Sequence, residues 1–429
     1  MRRSAAAVAG SIALLMSAAV CGSAQAQTAP ATPQLPKALV TALNRDLHLS
    51  PDQYLHRAAL AQQLGDFADT ARTRYPQAFA GSWLNEAGQA VVALADGPQR
   101  QQAAAAATAA GFTVQHAAKS ESTLESQLNT FTTWLHGQPA SVAQAVQGVG
   151  IDTVGNALTV RLASAAHSVD LKLPNFIEPS HVVSASPATT ATPQQARHPA
   201  ALVNGSEAGG DAFASMAGDI SLRCSFGFNG TLGGQTVNIT AGHCNPNQGA
   251  SGTPNAAPVF ELGPADVLGP QVGTFQKSRL DGHDYSIVAI NGSFARQFQN
   301  NAVSVPAAPP VFITGVAQPV VGAPVCKSGA RTGFSCGTIA TINQTVDVGK
   351  RVLSNGFSAN LCALPGDSGG TVITGTQALG VTSASTVTDY PICEIPNAIG
   401  AVTGDVPQLF ATPVSAILAE NPGLQVRTS

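Results

Sequence analysis

The stretch CALPGDSGGTVITG, from Cys362 to Gly375, holds one serine, Ser368, between an acid and two glycines. Its glycines are compatible with a tight turn before a strand, because glycine adopts positive φ without a Cβ clash. A turn requires no particular serine, whereas a serine nucleophile requires a base to take its proton and a group to orient that base. The partners that the rest of the chain offers Ser368 therefore decide between a turn and a catalytic site.

One histidine and one aspartate lie at the ends of predicted strands and can supply those partners. In NITAGHC, His243 follows a strand and precedes a cysteine, and in HDYSIVAI, Asp284 opens an apolar strand. The alternatives are a structural role for His243 beside a disulfide and Asp281 as the acid, while His283 is expected to be a loop residue. The order His, Asp, Ser predicts a catalytic triad of His243, Asp284 and Ser368.

The composition excludes several classes of partner. The chain has 429 residues, 44% of them hydrophobic and 10% charged, with a formal net charge of -3. It therefore offers no basic field for nucleic acid or an anionic membrane surface.

The N-terminus, MRRSAAAVAGSIALLMSAAVCGSAQAQ, has the pattern of a secretory signal peptide cleaved after Ala26, and no later stretch reaches the roughly 20 apolar residues of a transmembrane helix. We expect a secreted protein that binds neither nucleic acid nor a membrane.

Six cysteines remain after removal of the predicted signal peptide, and all lie in the second half of the chain. An even number of cysteines in an exported chain indicates disulfides. Many pairings are open, and order and separation favour Cys224–Cys244, Cys326–Cys336 and Cys362–Cys393. The sequence has no CxxC motif and no histidine cluster, so neither a metal site nor a cofactor is predicted.

Two regions of different composition follow the signal peptide. Residues 37–175 combine helical periodicity behind a Ser50 cap with the strand-like segments QAVVALAD and ALTVRLASA and an Ala-rich helix over 101–111. The stretch 184–200, SASPATTATPQQARHPA, lacks periodicity and predicts an exposed linker. After about residue 205, short β segments alternate with turn signals, and one late helix is predicted over Thr412–Gly423. A mixed α and β region is therefore followed by an all-β barrel or sandwich.

The motifs TAGHC, HDYSIV and GDSGG, in this order, resemble those of the chymotrypsin-like serine peptidases. CKSGARTGFSCGTI and CALPGDSGG resemble the bacterial α-lytic protease and streptogrisin group, and YPQAFAGSWLNEAGQAVVALAD resembles its pro-region. The resemblance implies an all-β catalytic part of two six-stranded antiparallel β-barrels with a C-terminal helix, and an α+β pro-region. The implied order is a signal peptide (1–26), a pro-region that assists folding and inhibits (27–183), a linker near the maturation site (184–204) and a peptidase domain (205–429).

The same resemblance implies a function. We expect a monomeric serine endopeptidase, made as a zymogen, that hydrolyses protein or peptide substrates through an acyl-enzyme and binds its own pro-region. The alternative is a catalytically inactive, protease-like binding protein. An intact triad and glycine frame argue against that alternative.

Roles for individual residues also follow from the resemblance. Ser368 would be the nucleophile, His243 the general acid and base, and Asp284 the group that orients the histidine. The backbone N–H groups of Gly366 and Ser368 would form the oxyanion hole. Ser383 would donate a hydrogen bond to the triad aspartate.

The acid that precedes the nucleophile departs from the family pattern. In bacterial relatives this acid, here Asp367, usually pairs with an arginine. The matching position is Lys327, which carries a point charge without the bidentate fork of arginine. Arg331 is the alternative partner of Asp367.

The residues expected to bind the substrate are small. Ala363 matches the floor of the specificity pocket, and Thr382, Ser383, Ala384 and Ser385 match the opposite wall. The stretch SANLCALPG, which precedes Asp367 and Ser368, contains no acidic residue. A preference for Lys or Arg before the scissile bond is therefore not expected. Relatives often have glycines at 384 and 385, and the side chains here favour a small or medium apolar residue. A large apolar or aromatic residue and glutamate are the alternatives.

Overall fold

The computed structural model describes residues 35–163, 171–185, 205–263, 266–347 and 352–429. Leu35–Ser429 form one compact unit. The predicted signal peptide lies outside the described residues, as does most of the predicted linker. The first two residues of that linker, from Ser184, are described and belong to a strand, Val182–Ala185.

The described residues contain seven α-helices. These are α1 Lys37–Leu47, α2 Pro51–Arg74, α3 Arg100–Ala109, α4 Glu121–His136, α5 Ala140–Ala143, α6 Glu394–Thr403 and α7 Val414–Ala419. The start of α2 is fixed by a capping box in which the Ser50 hydroxyl accepts from the Gln53 N–H and the Gln53 side chain accepts from the Ser50 N–H. None of the described helices combines the length and apolar character needed to cross a bilayer.

The C-terminal helix differs from its predicted bounds. It begins at Val414 instead of Thr412, because Thr412 still pairs with Val381 in a strand, and it ends at Ala419. The helix α6 was not predicted. It carries Pro396 in its first turn, where proline is tolerated, and ends at Gly404 in the left-handed conformation.

The same residues contain 23 strands. The N-terminal strands are β1 Phe79–Leu84, β2 Ala90–Ala95, β3 Thr113–Ala117, β4 Val146–Asp152, β5 Ala157–Ala163 and β6 Val182–Ala185. The next are β7 Ala212–Ala217, β8 Ile220–Ser225, β9 Phe228–Leu232, β10 Gln235–Thr240, β11 Pro258–Leu262, β12 Leu268–Arg279, β13 Tyr285–Ile290, β14 Ala302–Val305, β15 Ala308–Phe312 and β16 Gly315–Val316. The last are β17 Pro324–Gly329, β18 Gly333–Asp347, β19 Val352–Ala359, β20 Thr371–Thr374, β21 Gln377–Ser385, β22 Leu409–Pro413 and β23 Leu424–Val426.

Two large sheets make up the part of the chain after residue 205. The first has the order β23-β9-β10-β13-β12-β11-β7-β8, so it has eight described strands where six were expected. In the second, β17-β20-β21-β22-β19-β18 closes into a ring of six strands, because β17 pairs with both β20 and β18. The first sheet has two strands more than expected. They lie at its two ends: β8, which forms a hairpin with β7, and the C-terminal β23, which pairs with β9. The part after residue 205 is therefore β-rich, as expected, but of the two six-stranded barrels that were expected only the second sheet has a ring of six described strands.

The N-terminal region packs against these sheets. The strands β1-β2-β3 form a small sheet, and β4-β5-β6 extend the second large sheet through β4, which pairs antiparallel with β18. Leu39 and Leu43 of α1 are fully buried in the same hydrophobic cluster as Phe213 and Phe275 of the first sheet. The N-terminal region therefore shares both sheet hydrogen bonds and core with the part that follows residue 205.

Candidate active site

The pairing of two strands brings His243 and Asp284 together. His243 lies in a turn directly after β10, and Asp284 lies directly before β13. Because β10 and β13 are antiparallel, with Thr240 opposite Ser286, the end of one strand lies beside the start of the other. His243 Nδ1 is 2.7 Å from Asp284 Oδ2, and the His243 backbone N–H donates to Asp284 Oδ1 at 2.9 Å. Two contacts therefore fix both the position and the orientation of the imidazole.

The Asp284 carboxylate is fully buried and held from a second side. The Ser383 hydroxyl of β21 donates a short hydrogen bond to Asp284 Oδ2. The Asp284 backbone N–H lies 3.2 Å from the Thr412 hydroxyl of β22, which in turn is 3.2 Å from the Asp284 carbonyl oxygen. The aspartate adjoins a strand of the first large sheet, as the histidine does, and is in addition anchored to the second.

Ser368 lies at a tight turn between the two sheets. Its carbonyl oxygen accepts from the Ser225 N–H of β8 at 2.8 Å and lies 3.7 Å from Cys244 Sγ, next to His243. The Gly369 N–H donates to the Thr382 carbonyl of β21 at 2.8 Å. These contacts bring the serine to the same junction as the histidine. His243 Nε2 is buried and accepts no hydrogen bond from any described residue.

The backbone around Gly366 leaves two donors available. Among the described residues, neither the Gly366 nor the Ser368 N–H donates a hydrogen bond. Gly366 has φ of +105°, a conformation that side-chain-bearing residues avoid. Its carbonyl oxygen is fixed by the Ser225 hydroxyl, which donates at 2.7 Å. The turn is therefore held while these two N–H groups have no acceptor among the described residues.

Asp367 and Lys327 form a buried ion pair, and each side chain is 1% exposed. Lys327 Nζ lies 3.5 Å from Asp367 Oδ2. The carboxylate also accepts from the backbone N–H groups of Arg331, Thr332 and Leu364 at 2.9 to 3.0 Å and from the Thr332 hydroxyl at 2.6 Å. Both residues suggested as partners therefore contact Asp367, Lys327 through its charge and Arg331 through its backbone. Thr332 was not predicted, although it follows in the same CKSGART segment.

The residues expected to bind substrate are all buried, Thr382 to Ser385 at the end of β21 and Ala363 in the stretch before Ser368. Ala363, Thr382, Ala384 and Ser385 are each less than 5% exposed. Ala384 packs in a small cluster with Phe410 of β22. The hydroxyl of Thr382 is buried and has no hydrogen-bond partner among the described residues. This group of buried residues therefore carries one unpaired polar atom, the Thr382 hydroxyl.

Three disulfides are formed, and they are the pairs that order and separation favoured. Cys224–Cys244 joins β8 to the turn of His243, Cys326–Cys336 joins β17 to β18, and Cys362–Cys393 joins the stretch before Ser368 to the start of α6. Cys224, Cys244 and His243 place their ligand-type atoms within 4.8 Å of one another. Both sulfurs are in the disulfide bond, so they are not thiolate ligands.

Comparison with known proteins identifies the family. No family model matches the chain. Streptogrisin-C from Streptomyces griseus is 40% identical over 175 residues, 41% of this chain and 34% of that protein, so the chain spans about a third of that relative's length. Serine protease 2 from Streptomyces fradiae is 33% identical over 182 residues, 41% of this chain and 92% of that protein. Among solved structures, Thermobifida fusca protease A is 30% identical with a TM-score of 0.40, over 52% of this chain and 100% of that one. Because it covers nearly all of serine protease 2 at this identity, the chain belongs to the bacterial chymotrypsin-like serine proteases, the family of the streptogrisins.

Proposed function

We propose that this chain is a secreted serine endopeptidase that acts through a triad of His243, Asp284 and Ser368. The observation that carries the proposal is the 2.7 Å contact between His243 Nδ1 and Asp284 Oδ2, which leaves Nε2 as the nitrogen available to a nucleophile. Export is supported by the signal-like N-terminus. The substrates are proteins or peptides.

The reaction follows the order of the proton transfers. Ser368 Oγ attacks the scissile carbonyl carbon, and its proton passes to His243 Nε2. Asp284 accepts from Nδ1–H and stabilises the imidazolium, while the Gly366 and Ser368 N–H groups bind the oxyanion. The imidazolium then protonates the leaving amine, which gives the acyl-enzyme. A water molecule, deprotonated by Nε2, releases the second product and restores Ser368.

Covalent labelling separates this proposal from an inactive binding protein. A fluorophosphonate should label the folded chain, and Ser368→Ala should abolish the label. Ser293→Ala, at an exposed serine of the β13–β14 connection, is the matched control and should keep it. If processed, folded protein takes up no label at any serine, the binding-protein alternative replaces the enzyme.

The N-terminal region is proposed to be a pro-region that assists folding and then inhibits. Support comes from the pairing of β4 with β18, which adds the N-terminal strands to the sheet of the peptidase part. At Gly148 of β4, a Cβ would lie 2.9 Å from the Thr345 carbonyl oxygen of β18. We expect Gly148→Val to weaken this pairing.

A cleavable linker provides the test. The Ser368→Ala chain with a specific protease site in 186–204 is cut, and the rate at which the N-terminal fragment dissociates is measured by pull-down. Gly148→Val should speed dissociation, whereas Gly97→Ala, where the nearest contact is 3.5 Å away, should not. Equal dissociation rates for the three proteins would contradict a role for the β4–β18 pairing.

We propose a small or medium apolar residue before the scissile bond, with glutamate and a large apolar or aromatic residue as the alternatives. The methyl of Ala384 and the side chain of Ser385, both buried in the wall, favour a small or medium apolar residue. The unpaired hydroxyl of Thr382 favours a residue that can hydrogen-bond it, such as glutamate. A matched set of substrates ending in Ala, Val, Leu, Phe, Glu and Arg decides by kcat/KM. If glutamate is best, Thr382→Val should lower kcat/KM for that substrate alone.

A further inference from the structure

Glu420, directly after α7, contacts three side chains around the segment that presents Asp284. Its Oε1 is 2.7 Å from His283 Nδ1, the residue before Asp284. Its Oε2 accepts from the Tyr285 hydroxyl, the residue after Asp284, at 2.9 Å, and lies 3.0 Å from Arg279 Nη1 at the end of β12. One carboxylate therefore connects both strands that flank the aspartate and the loop between them.

The surroundings keep this carboxylate in place. Asn421 donates to the Tyr285 hydroxyl at 3.1 Å and to the Ile417 carbonyl of α7 at 2.6 Å, and it accepts from Lys277 Nζ at 2.6 Å. The side chains of His283 and Glu420 are 13% and 22% exposed. Burial alone would raise the pKa of Glu420, but the hydrogen bonds from His283 and Tyr285 and the charge of Arg279 together lower it. The group is therefore held as a carboxylate.

We propose that Glu420 is a positioning residue for the proposed triad, which holds Asp284 against His243 by binding the two residues on either side of Asp284. The inference rests on the proposed function. It assigns a role to His283, which the reaction itself does not use. His283 Nε2 is buried without a partner among the described residues, so Nδ1 is the ring atom through which this histidine is held.

The consequence concerns the catalytic step and not substrate binding. Without Glu420, the partly buried His283 Nδ1 and Tyr285 hydroxyl lose their acceptor, and the loop relaxes to find another. The hydrogen bond from Ser383 still holds Asp284 Oδ2, so we expect a small displacement of Oδ2 from His243 Nδ1 and none of Thr382 and Ser385, which lie on β21. We therefore expect kcat to fall while KM is retained.

The test uses four variants of the full chain. Glu420→Ala and His283→Leu remove the contact, His283→Asn keeps an N–H donor near the position of Nδ1, and Asp405→Ala changes an exposed acid elsewhere. Enzyme processed from each chain is titrated for active sites before kcat and KM are measured. We expect about a tenfold lower kcat, equivalent to roughly 1.4 kcal/mol, for Glu420→Ala and His283→Leu. KM should stay within about twofold, and His283→Asn and Asp405→Ala should keep kcat within about twofold.

A second readout is independent of activity. In the Ser368→Ala chain, the low-field proton NMR signal of the His243 Nδ1–H bound to Asp284 should shift or broaden with Glu420→Ala and with His283→Leu, and it should keep its parent position with His283→Asn. If Glu420→Ala does not accumulate, Glu420→Gln, which keeps the shape and one acceptor, takes its place. An unchanged kcat and an unchanged signal overturn the positioning role. Absence of fluorophosphonate labelling in the parent chain would overturn the proposed function instead, and the NMR comparison would still decide the role of Glu420.

Discussion

Removal of the ion pair between Lys327 and Asp367 tests whether this charge contact stabilises the turn around Ser368. Lys327→Met removes the charge and keeps most of the buried volume. The two charges are 3.5 Å apart, and each side chain is 1% exposed. At an effective dielectric constant of about 20, their attraction is roughly 5 kcal/mol. Methionine also removes the desolvation cost of the lysine, so the net loss is smaller than this attraction.

The loss of unfolding free energy caused by Lys327→Met depends on the contacts that the Asp367 carboxylate keeps. Asp367 keeps four hydrogen bonds, three from backbone N–H groups and one from Thr332. Breaking a buried pair typically costs about 3–5 kcal/mol, and these four bonds put Lys327→Met at the lower end. For the compact unit Leu35–Ser429, which the uncleaved chain contains, about 3 kcal/mol corresponds to a fall in Tm of roughly 4 °C.

The assay compares Tm by circular dichroism in the Ser368→Ala chain, which cannot digest itself if the proposed nucleophile is correct. Lys327→Arg keeps the charge and should lose less than Lys327→Met. Lys119→Met is the matched control, because the Lys119 side chain makes a long ion pair of 4.0 Å with the exposed Glu178 and its hydrogen bonds to Asn156 come from the backbone, and it should change Tm little. In the active chain, Lys327→Met should also lower kcat at least about tenfold, because the turn carries the N–H groups of the proposed oxyanion hole. A Tm within the error of the Lys119→Met control would refute the reasoning, and equal losses for Met and Arg would show that packing, not charge, is responsible.

Three further outcomes are expected. Asp284→Asn should lower kcat by about 10⁴-fold, because an amide favours the wrong histidine tautomer. Its fluorophosphonate labelling rate should fall in parallel, and an unchanged rate would exclude the aspartate from the triad. Gly242→Ala should lower kcat about 100-fold through displacement of the neighbouring histidine, since a Cβ there lies 2.1 Å from the Arg279 carbonyl oxygen, whereas Gly249→Ala, with no atom within 4 Å, should be neutral. Burial raises the pKa of Glu207 to about 9, above its ordinary 4.5. Its contribution to stability is therefore complete below about pH 4.5 and lost as the pH rises through 9, so Glu207→Gln should raise Tm at pH 9 and not at pH 4.

The sequence indicates the strand ends of the candidate site because its motifs coincide with the ends of apolar segments. NITAGHC and HDYSIVAI each combine a buried strand with the polar residue that follows or precedes it, and β10 and β13 pair as neighbours. The cysteine pairs follow from short separations of 10 to 31 residues. In each case the partners are close along the chain or share one antiparallel pairing, so local patterns are sufficient.

The supporting contacts could not be predicted because they join distant segments through ordinary polar residues. Thr412 lies 128 positions from Asp284, and Glu420 lies 137 positions from His283. No motif distinguishes a supporting threonine or glutamate from a solvent-exposed one. The number of strands in the first sheet could not be predicted for the same reason. Its end strand β23 pairs with β9, which is distant in sequence, after the C-terminal segment has crossed to the other half of the molecule.

The N-terminal helix α1 connects the proposed pro-region to the buried ion pair. Asp46 accepts from the Cys336 N–H of β18 at 2.8 Å, and Arg45 contacts the Phe334 carbonyl oxygen at 3.4 Å. This end of β18 begins at Gly333, whose carbonyl oxygen lies 3.4 Å from Lys327 Nζ. Burying Lys327 is unfavourable until Asp367 and these backbone groups are all in place. A helix that fixes the start of β18 lowers the conformational entropy lost when the pair assembles. This contact gives a proposed folding assistant a specific place to act, at the β17–β18 hairpin whose Lys327 pairs with Asp367 beside Ser368.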